Sequence, residues 1–420
     1  MARLRVKHFG PITEGFESED GFIDFGKYTL FIGDQGTGKS TIAKLISLCS
    51  WLEKAFFRGD FDSDSFGNSD FEDLCNNQLL NDSFNEDTEL EYDGNAYHFW
   101  YKNSAFLAKK SEKTEQEYIR PKIMYIPSER NVLSIVKNVE ELDNIPPMLR
   151  LLRKRYLQAS DALGNDGLYV LPLSGYKTIV NKSNGETTVQ EEKTGKKVPL
   201  MCASSGLQSV VPSSLVTEYL ASLSQQTVLE KIRSLKEKDL KKLKNNIADD
   251  IINSELERYI TSGVSKTVSA ESLARLETEA RLFTNGCFMN IVEEPEQNLF
   301  SESQMKNLDF LLDAANRNKN NKLILTTHSP YILSYTTLAA KAFELNSKKI
   351  PANEIEKILP RSSWIDGNTC RVYQLEDGKI RTLHTYGRGL PSDSNMLNAT
   401  LGKSNDMFDQ LLDLEEAFDR

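Results

Sequence analysis

At 420 residues, with 39% hydrophobic and 27% charged residues, the chain has material for a sizeable core and a globular rather than disordered composition. Set against the ~100–200 residues of a typical domain, its length predicts two or three structural units, or one elaborated domain. The formal charge of -10, from 51 Lys+Arg against 61 Asp+Glu, opposes nonspecific attraction of the whole molecule to nucleic acid.

Five cysteines (Cys49, Cys75, Cys202, Cys287, Cys370) are scattered without a CxxC pair, and the four histidines are dispersed. Neither a zinc site nor a disulfide framework is expected, and a reducing compartment fits. The opening MARLRVKHFG lacks the apolar stretch of a signal peptide, and no later run reaches the ~20 apolar residues of a membrane span. A cytoplasmic location with no membrane partner is expected.

In chain order, RLRVKHF, GFIDF and YTLFIG predict short strands, the last leading into GDQGTGKS. The stretch from Thr41 to Phe57 carries apolar residues at helical spacing, with Ile42, Leu45, Ile46 and Leu52 on one side. Residues 60–87 show little period and predict irregular surface or short helices. In ELEYDGNAYHFWYK, Asp93-Gly94 between alternating runs predicts a hairpin, and KIMYIP predicts a buried strand returning to the sheet. Another hairpin is expected across LYVLPL and TTVQEE, turning at Asn184-Gly185.

From Ser224 to Tyr259, Leu229, Ile232, Leu235, Leu240, Leu243, Ile247, Ile251 and Leu256 lie near a 3.6-residue period and predict a long amphipathic helical arm or packed insertion. CFMNIVEE, a helix from Glu302 to Arg317, and NKLILTTHS then form a β-α-β unit. A last hairpin, CRVYQLEDGKIRTLHT, precedes an acidic amphipathic tail helix. No internal repeat is visible.

Chemistry concentrates at three strand ends. The spacing GxxxxGK[ST] from Gly33 to Ser40 lets backbone N–H groups of Gly33, Asp34, Gln35, Gly36, Thr37 and Gly38 turn inward around phosphate oxygens. Lys39 adds charge for the outer phosphates, Ser40 a hydroxyl for magnesium, and Thr41 continues the helix start that points its positive end at the anion. At FMNIVEEPE, Glu293 is placed to hold magnesium, directly or through water, and Glu294 to orient and polarise an attacking water. At LILTTHSP, His328 ends a third strand where it can sense a terminal phosphate.

GDQGTGKST, IVEEPE and TTHSP, in this order, resemble the ATP-binding-cassette type of ATPase in the RecF, SMC and OLD branch. The resemblance implies an α/β, ABC-type P-loop ATPase sheet with an antiparallel β subdomain and a helical insertion. It also implies a signature in which Ser204, Ser205, Gly206, Leu207, Gln208 and Ser209 begin a helix and meet the γ-phosphate of ATP held by a second subunit. ATP and Mg2+ are then the expected ligands, and a homodimer or higher homo-oligomer the working unit.

Departures from the family pattern are visible. The signature reads SSGLQ rather than LSGGQ, Glu293 stands where many members carry Asp, and Ser128, Glu129 and Arg130 are only positional candidates for a glutamine-loop residue. These departures resemble the compact ATPase subunits of bacterial anti-phage defence operons, such as the Septu, PARIS and retron-linked systems. That likeness implies a switch controlling a separate effector, a nuclease or toxin. No nuclease site is expected in the chain itself, because Asp366, Glu376, Asp377 and the Asp413 to Asp419 cluster fall in a predicted hairpin turn and tail, not at successive strand ends.

The alternative is a RecF-like or SMC-like DNA-maintenance ATPase. The basic run from Lys231 to Lys244 leaves DNA open as a partner, although such a run also suits the solvated face of a packed helix. The expected divisions are 1–130, the first part of the ATPase lobe; 131–203, a helical and hairpin region; 204–284, signature and arm; 285–385, the second part of the lobe; and 386–420, the acidic tail.

Overall fold

The computed structural model describes residues 2–112, 118–136, 145–163, 169–173, 175–180, 186–383 and 395–418. Its centre is a seven-stranded sheet in the spatial order Gly15–Phe16, Lys379–Thr382, Cys370–Glu376, Tyr28–Gly33, Lys322–Thr327, Cys287–Glu293 and Pro121–Ile126. The last five of these run parallel. Every residue of Tyr28–Gly33 and Cys287–Glu293 is buried, the pattern of strands covered on both faces rather than alternating with solvent.

The helix Lys39–Phe57 packs between this sheet and a second, five-stranded sheet containing Arg3–Lys7, Glu89–Asp93, Tyr97–Lys102 and Ala105–Lys110. Buried Glu53 pins the junction by accepting from the Tyr92 hydroxyl at 2.8 Å and the Ala96 N–H at 2.7 Å. The helices Ser205–Gln225 and Ser301–Asn316 also cover central strands and touch each other. The protein is therefore α/β, with an antiparallel β subdomain and a helical insertion beside a mainly parallel sheet.

The hairpin about Asp93-Gly94 and the β-α-β unit form as expected. So does the last hairpin, where Asp377 and Gly378 take φ of 49° and 77° at the turn between Cys370–Glu376 and Lys379–Thr382. The expected hairpin across LYVLPL and TTVQEE does not form directly: Thr187–Glu191 pairs with Tyr176–Val180, which in turn pairs with Tyr169–Val170 of LYVLPL, and the turn expected at Asn184-Gly185 lies outside the described residues. Residues 60–87 contain one regular helix, Asn68–Asn76. The tail helix spans Met396–Phe418.

The helical arm differs from a continuous reading of its periodicity. It breaks into Val228–Arg233, Glu237–Ile247 and Asp250–Ser262, followed by Ala270–Ala280. Local chemistry sets the breaks: Thr227 and Glu230 form a capping box, Ala248 turns left-handed at φ 48°, and Asp249 caps the N–H groups of Ile251 and Ile252. The apolar stripe folds back on itself, so Leu229, Ile232, Leu243, Ile247, Leu256 and Leu276 bury one another in a separate small core. No helix among the described residues is long and apolar enough to cross a membrane.

Candidate functional site

The strand Tyr28–Gly33 ends at the loop, and the helix Lys39–Phe57 starts from it. Gly36 and Gly38 take φ of 75° and 98°, a region that disfavours side chains. A Cβ on Gly38 would stand 2.5 Å from Ile12 Cδ1, whereas one on Gly36 would meet nothing within 4 Å, so the loop is packed at its base and open at its crown. Asp34, Gln35, Gly36 and Ser40 are exposed there, while Thr37 and Thr41 are half-buried. Thr37 donates to the Asp34 carbonyl at 2.8 Å, and Gln35 N–H donates to Asp34 Oδ1 at 2.7 Å.

Lys39 is buried, and its ammonium donates to the carbonyls of Gly33 at 2.9 Å and Asp34 at 2.6 Å. Burial brings its pKa down to about 8, against the opposing pull of Glu294, Asp34, Glu296 and Glu293. The ammonium thus lies folded over the loop that an anion would occupy, beside carboxylates from a strand two positions away in the sheet.

Parallel register brings the other strand tips to this edge: Thr327 lies opposite Ile32, and Glu293 opposite Thr326. Glu293 is buried; its Oε2 accepts from the Ser128 N–H at 3.2 Å, and its Oε1 has no partner among the described residues. An orphaned carboxylate oxygen on a side chain within the field of the Lys39 ammonium fits a hydrated magnesium ion, which takes one or two carboxylates and fills its remaining positions with water and phosphate. Among the described residues no group of three acidic, His or Cys side chains forms an all-protein cation cage.

Glu294 is half-buried, at φ 43°, an uncommon conformation for a side-chain-bearing residue. Its Oε1 stands 3.6 Å from His328 Nε2, a separation longer than a hydrogen bond. The neighbouring His328 ring is the main influence holding the Glu294 carboxyl below the usual carboxylate range, with burial opposing it. Lys39, Glu293, Glu294 and His328 therefore converge at one edge.

Arg130, only a positional candidate in the sequence, is the clamp of this edge. It is 1% exposed, and its guanidinium donates to the carbonyls of Glu293 at 2.6 Å, Glu294 at 2.7 Å and Pro127 at 3.1 Å. Burial brings its pKa down to about 10, with Glu296, Glu294 and Glu293 opposing. Arg130→Ala should lower stability by roughly 2–4 kcal/mol, because orphaned buried carbonyls outweigh relief from burying the cation. A urea unfolding midpoint unchanged by Arg130→Ala would contradict that role.

Glu296 was not singled out by the sequence. Its Oε1 accepts from the Thr327 hydroxyl at 2.7 Å and the His328 N–H at 2.8 Å, while burial raises its pKa. Gln304 extends the tie, donating to the Leu299 carbonyl at 3.0 Å and accepting from Ser329 Oγ at 2.6 Å. The glutamate loop and the histidine loop are thus bound together by Glu296, the last residue of IVEEPE, and by Gln304, eight residues beyond it.

Ser204 and Ser205 sit exposed at the start of the helix Ser205–Gln225. Gly206 permits the helix to approach the glutamate loop, since a Cβ there would meet the Asn298 carbonyl oxygen at 2.7 Å. Leu207, Gln208 and Ser209 face inward; the Gln208 amide donates to the Met201 carbonyl at 2.9 Å, and Ser209 Oγ to Gln297 Oε1 at 3.3 Å. Pro212 cannot donate to the Gln208 carbonyl one turn back, and Ser134 Oγ makes that bond instead at 2.6 Å. No hydrogen bond or ion pair among the described residues joins Ser204–Ser209 to Gly33–Ser40.

No protein-family model and no curated protein matches the chain. Among solved structures it is similar to the SMC head domain from Thermotoga maritima, at 10% identity and TM-score 0.35, covering 91% of this chain and 98% of that one. It is also similar to a Pyrococcus furiosus Smc head domain with an extended coiled coil, bound to the C-terminal domain of ScpA: 8% identity, TM-score 0.36, coverage 98% and 100%. A dimeric ATP-binding cassette in a post-hydrolysis state, bound to ADP and Pi, is similar at 9% identity and TM-score 0.25, over 92% and 100% of the two chains. With TM-scores below 0.5, these likenesses add nothing to what the chain's own strand order shows.

Proposed function

We propose that the chain is an ATP phosphohydrolase that works as a homodimer, each site pairing the phosphate loop of one protomer with the signature helix of the other. The observation that supports it is the convergence of Lys39, Glu293, Glu294 and His328 at one sheet edge. Backbone N–H groups of Gly33–Gly38 and the Lys39 ammonium hold the triphosphate, and Glu294 orients water opposite the leaving group. Water oxygen bonds to the γ-phosphorus, the bond to the bridging oxygen breaks, ADP departs, and the water proton passes toward Glu294 or the released phosphate. A bound Mg2+ would be held by Ser40 and Glu293 and would neutralise charge on the β- and γ-oxygens.

The exposed Ser204 and Ser205 supply the partner's half of the site, offering hydroxyl and helix N-terminal N–H donors to a γ-phosphate. Because Gly206 and Ser209 pack on Asn298 and Gln297, a phosphate seated on this helix pushes on the loop carrying Glu294 in the same protomer. Occupancy of one site is thereby communicated to the other.

A complementation experiment tests this arrangement. Lys39→Ala removes one protomer's phosphate loop, and Ser205→Arg blocks the other's signature. Each variant alone should be nearly inactive, whereas a mixture should regain phosphate release through the one intact composite site. No regain on mixing, with both proteins folded, would rule out the sandwich.

The proposal extends to an ATP-governed switch acting on a separate nuclease or toxin in anti-phage defence. That extension is supported by the motif resemblance and by the edge described above, and it predicts that such an effector co-purifies with the chain.

A further inference from the structure

The opposite, amino-terminal edge of the sheet holds a cluster that nucleotide hydrolysis does not use. A cavity of about 420 Å3 there is lined by Lys54, Arg58, Arg120, Lys122, Arg155 and Lys242. The carboxylates lining it are Asp60 and Asp239, and Asp60 already pairs with Arg58. Its walls come from four places in the chain: the end of Lys39–Phe57, the start of Pro121–Ile126, the helix Pro147–Leu163 and the insertion helix Glu237–Ile247, closed by Leu282, Phe283 and Asn285.

Among the described residues, the cations are mostly not neutralised. Lys122 and Lys242 make no hydrogen bond or ion pair among the described residues, and Arg155 donates to the neutral Gln158 at 2.6 Å. Arg120 is 5% exposed, donates to the Leu282 carbonyl, and leaves its Nε without a partner among the described residues. Lys54 donates to the Pro121 carbonyl at 2.9 Å and to Asn285 Oδ1 at 2.7 Å. Burial, and then repulsion from Arg155, Lys154 and Arg120, brings Lys122 down to about 8. Lys54 is lowered by burial and by Arg120, Lys122, Arg58 and Arg155. Like charges gathered this way oppose folding unless an anion joins them.

We infer that this cavity binds a small polyphosphate anion, a di- or triphosphate group. Its volume lies in the ~300–1,000 Å3 range of small-molecule sites, and its guanidinium and ammonium donors match phosphate oxygens. Lys54 lies fifteen residues along the helix from Lys39, about 22 Å at 1.5 Å per residue, so this site is separate from the phosphate loop. The basic run Lys231 to Lys244 contributes through Lys242, while Lys231 and Lys236 line the adjoining cleft of about 390 Å3, which shares Lys122 and Arg155.

The test uses tripolyphosphate and calorimetry on full-length Lys39→Ala protein, whose phosphate loop is weakened. A binding event weakened about tenfold or more by adding Lys122→Gln and Arg155→Gln is expected. Without anion, the added substitutions should leave the melting midpoint equal or raise it, because they relieve repulsion; residues that merely brace the fold would lower it. No binding to the Lys39→Ala protein, or binding indifferent to Lys122 and Arg155, would overturn the inference. So would a 20-nucleotide single strand that binds through these residues where tripolyphosphate does not, because the cleft would then be a nucleic-acid track.

Discussion

Lys39→Ala is expected to lower ATP turnover by on the order of 100-fold to 1,000-fold, the range for removing a preorganised donor from developing charge. The free protein explains why one side chain carries so much. Its ammonium already lies against the Gly33 and Asp34 carbonyls, within the field of Glu293, Glu294 and Glu296, and needs only to turn from loop oxygens to phosphate oxygens. Burial holds its pKa near 8, so the free protein loses this proton as pH rises from 7 to 9, and binding a triphosphate must restore it. Wild-type ATP affinity should therefore fall over that range, and the variant's weaker affinity should lose this dependence. Titration with a fluorescent ATP analogue at several pH values measures both. Wild-type rates of phosphate release in the variant would overturn the proposed site.

Glu294→Gln should reduce turnover by about 10²- to 10⁴-fold while leaving ATP binding in place. The amide keeps the shape of the side chain and its place beside His328, but it cannot accept the water proton. The backbone there is held independently of the side chain: Glu294 N–H donates to the Thr326 carbonyl at 2.9 Å, and the Glu294 carbonyl accepts from Arg130 and from the Gln297 N–H at 3.0 Å. The strained φ of 43° therefore persists in the variant, and lost activity reports chemistry rather than collapse. With hydrolysis blocked, the ATP-closed pair should accumulate and be visible by light scattering. Full turnover would remove Glu294 as the base, and an ATP-loaded monomer would remove the sandwich.

The two substitutions probe features of very different legibility. Lys39 follows from spacing alone, because a strand, a glycine-bearing loop and a helix start are local and contiguous. Glu294 needed only an apolar strand ending in carboxylates. Arg130 is different: its guanidinium crosses to carbonyls more than 160 residues away, and no periodicity of its own segment announces that. The helical arm misled for a related reason. Its 3.6-residue stripe is real, but the capping groups at Thr227 and Asp249 and the left-handed Ala248 fold the stripe onto itself.

By itself the amino-acid sequence determined the strand tips, their order and the chemical types they carry, since these depend on neighbours within about ten residues. Tertiary structure alone decided that the Gln208 amide turns inward, that Glu296 ties the His328 loop to the glutamate loop, and that six cations line one cavity at the far edge. The physical reason is that burial and field, which set what a charged side chain can do, are made by segments distant in the chain and become defined only when the core closes around them.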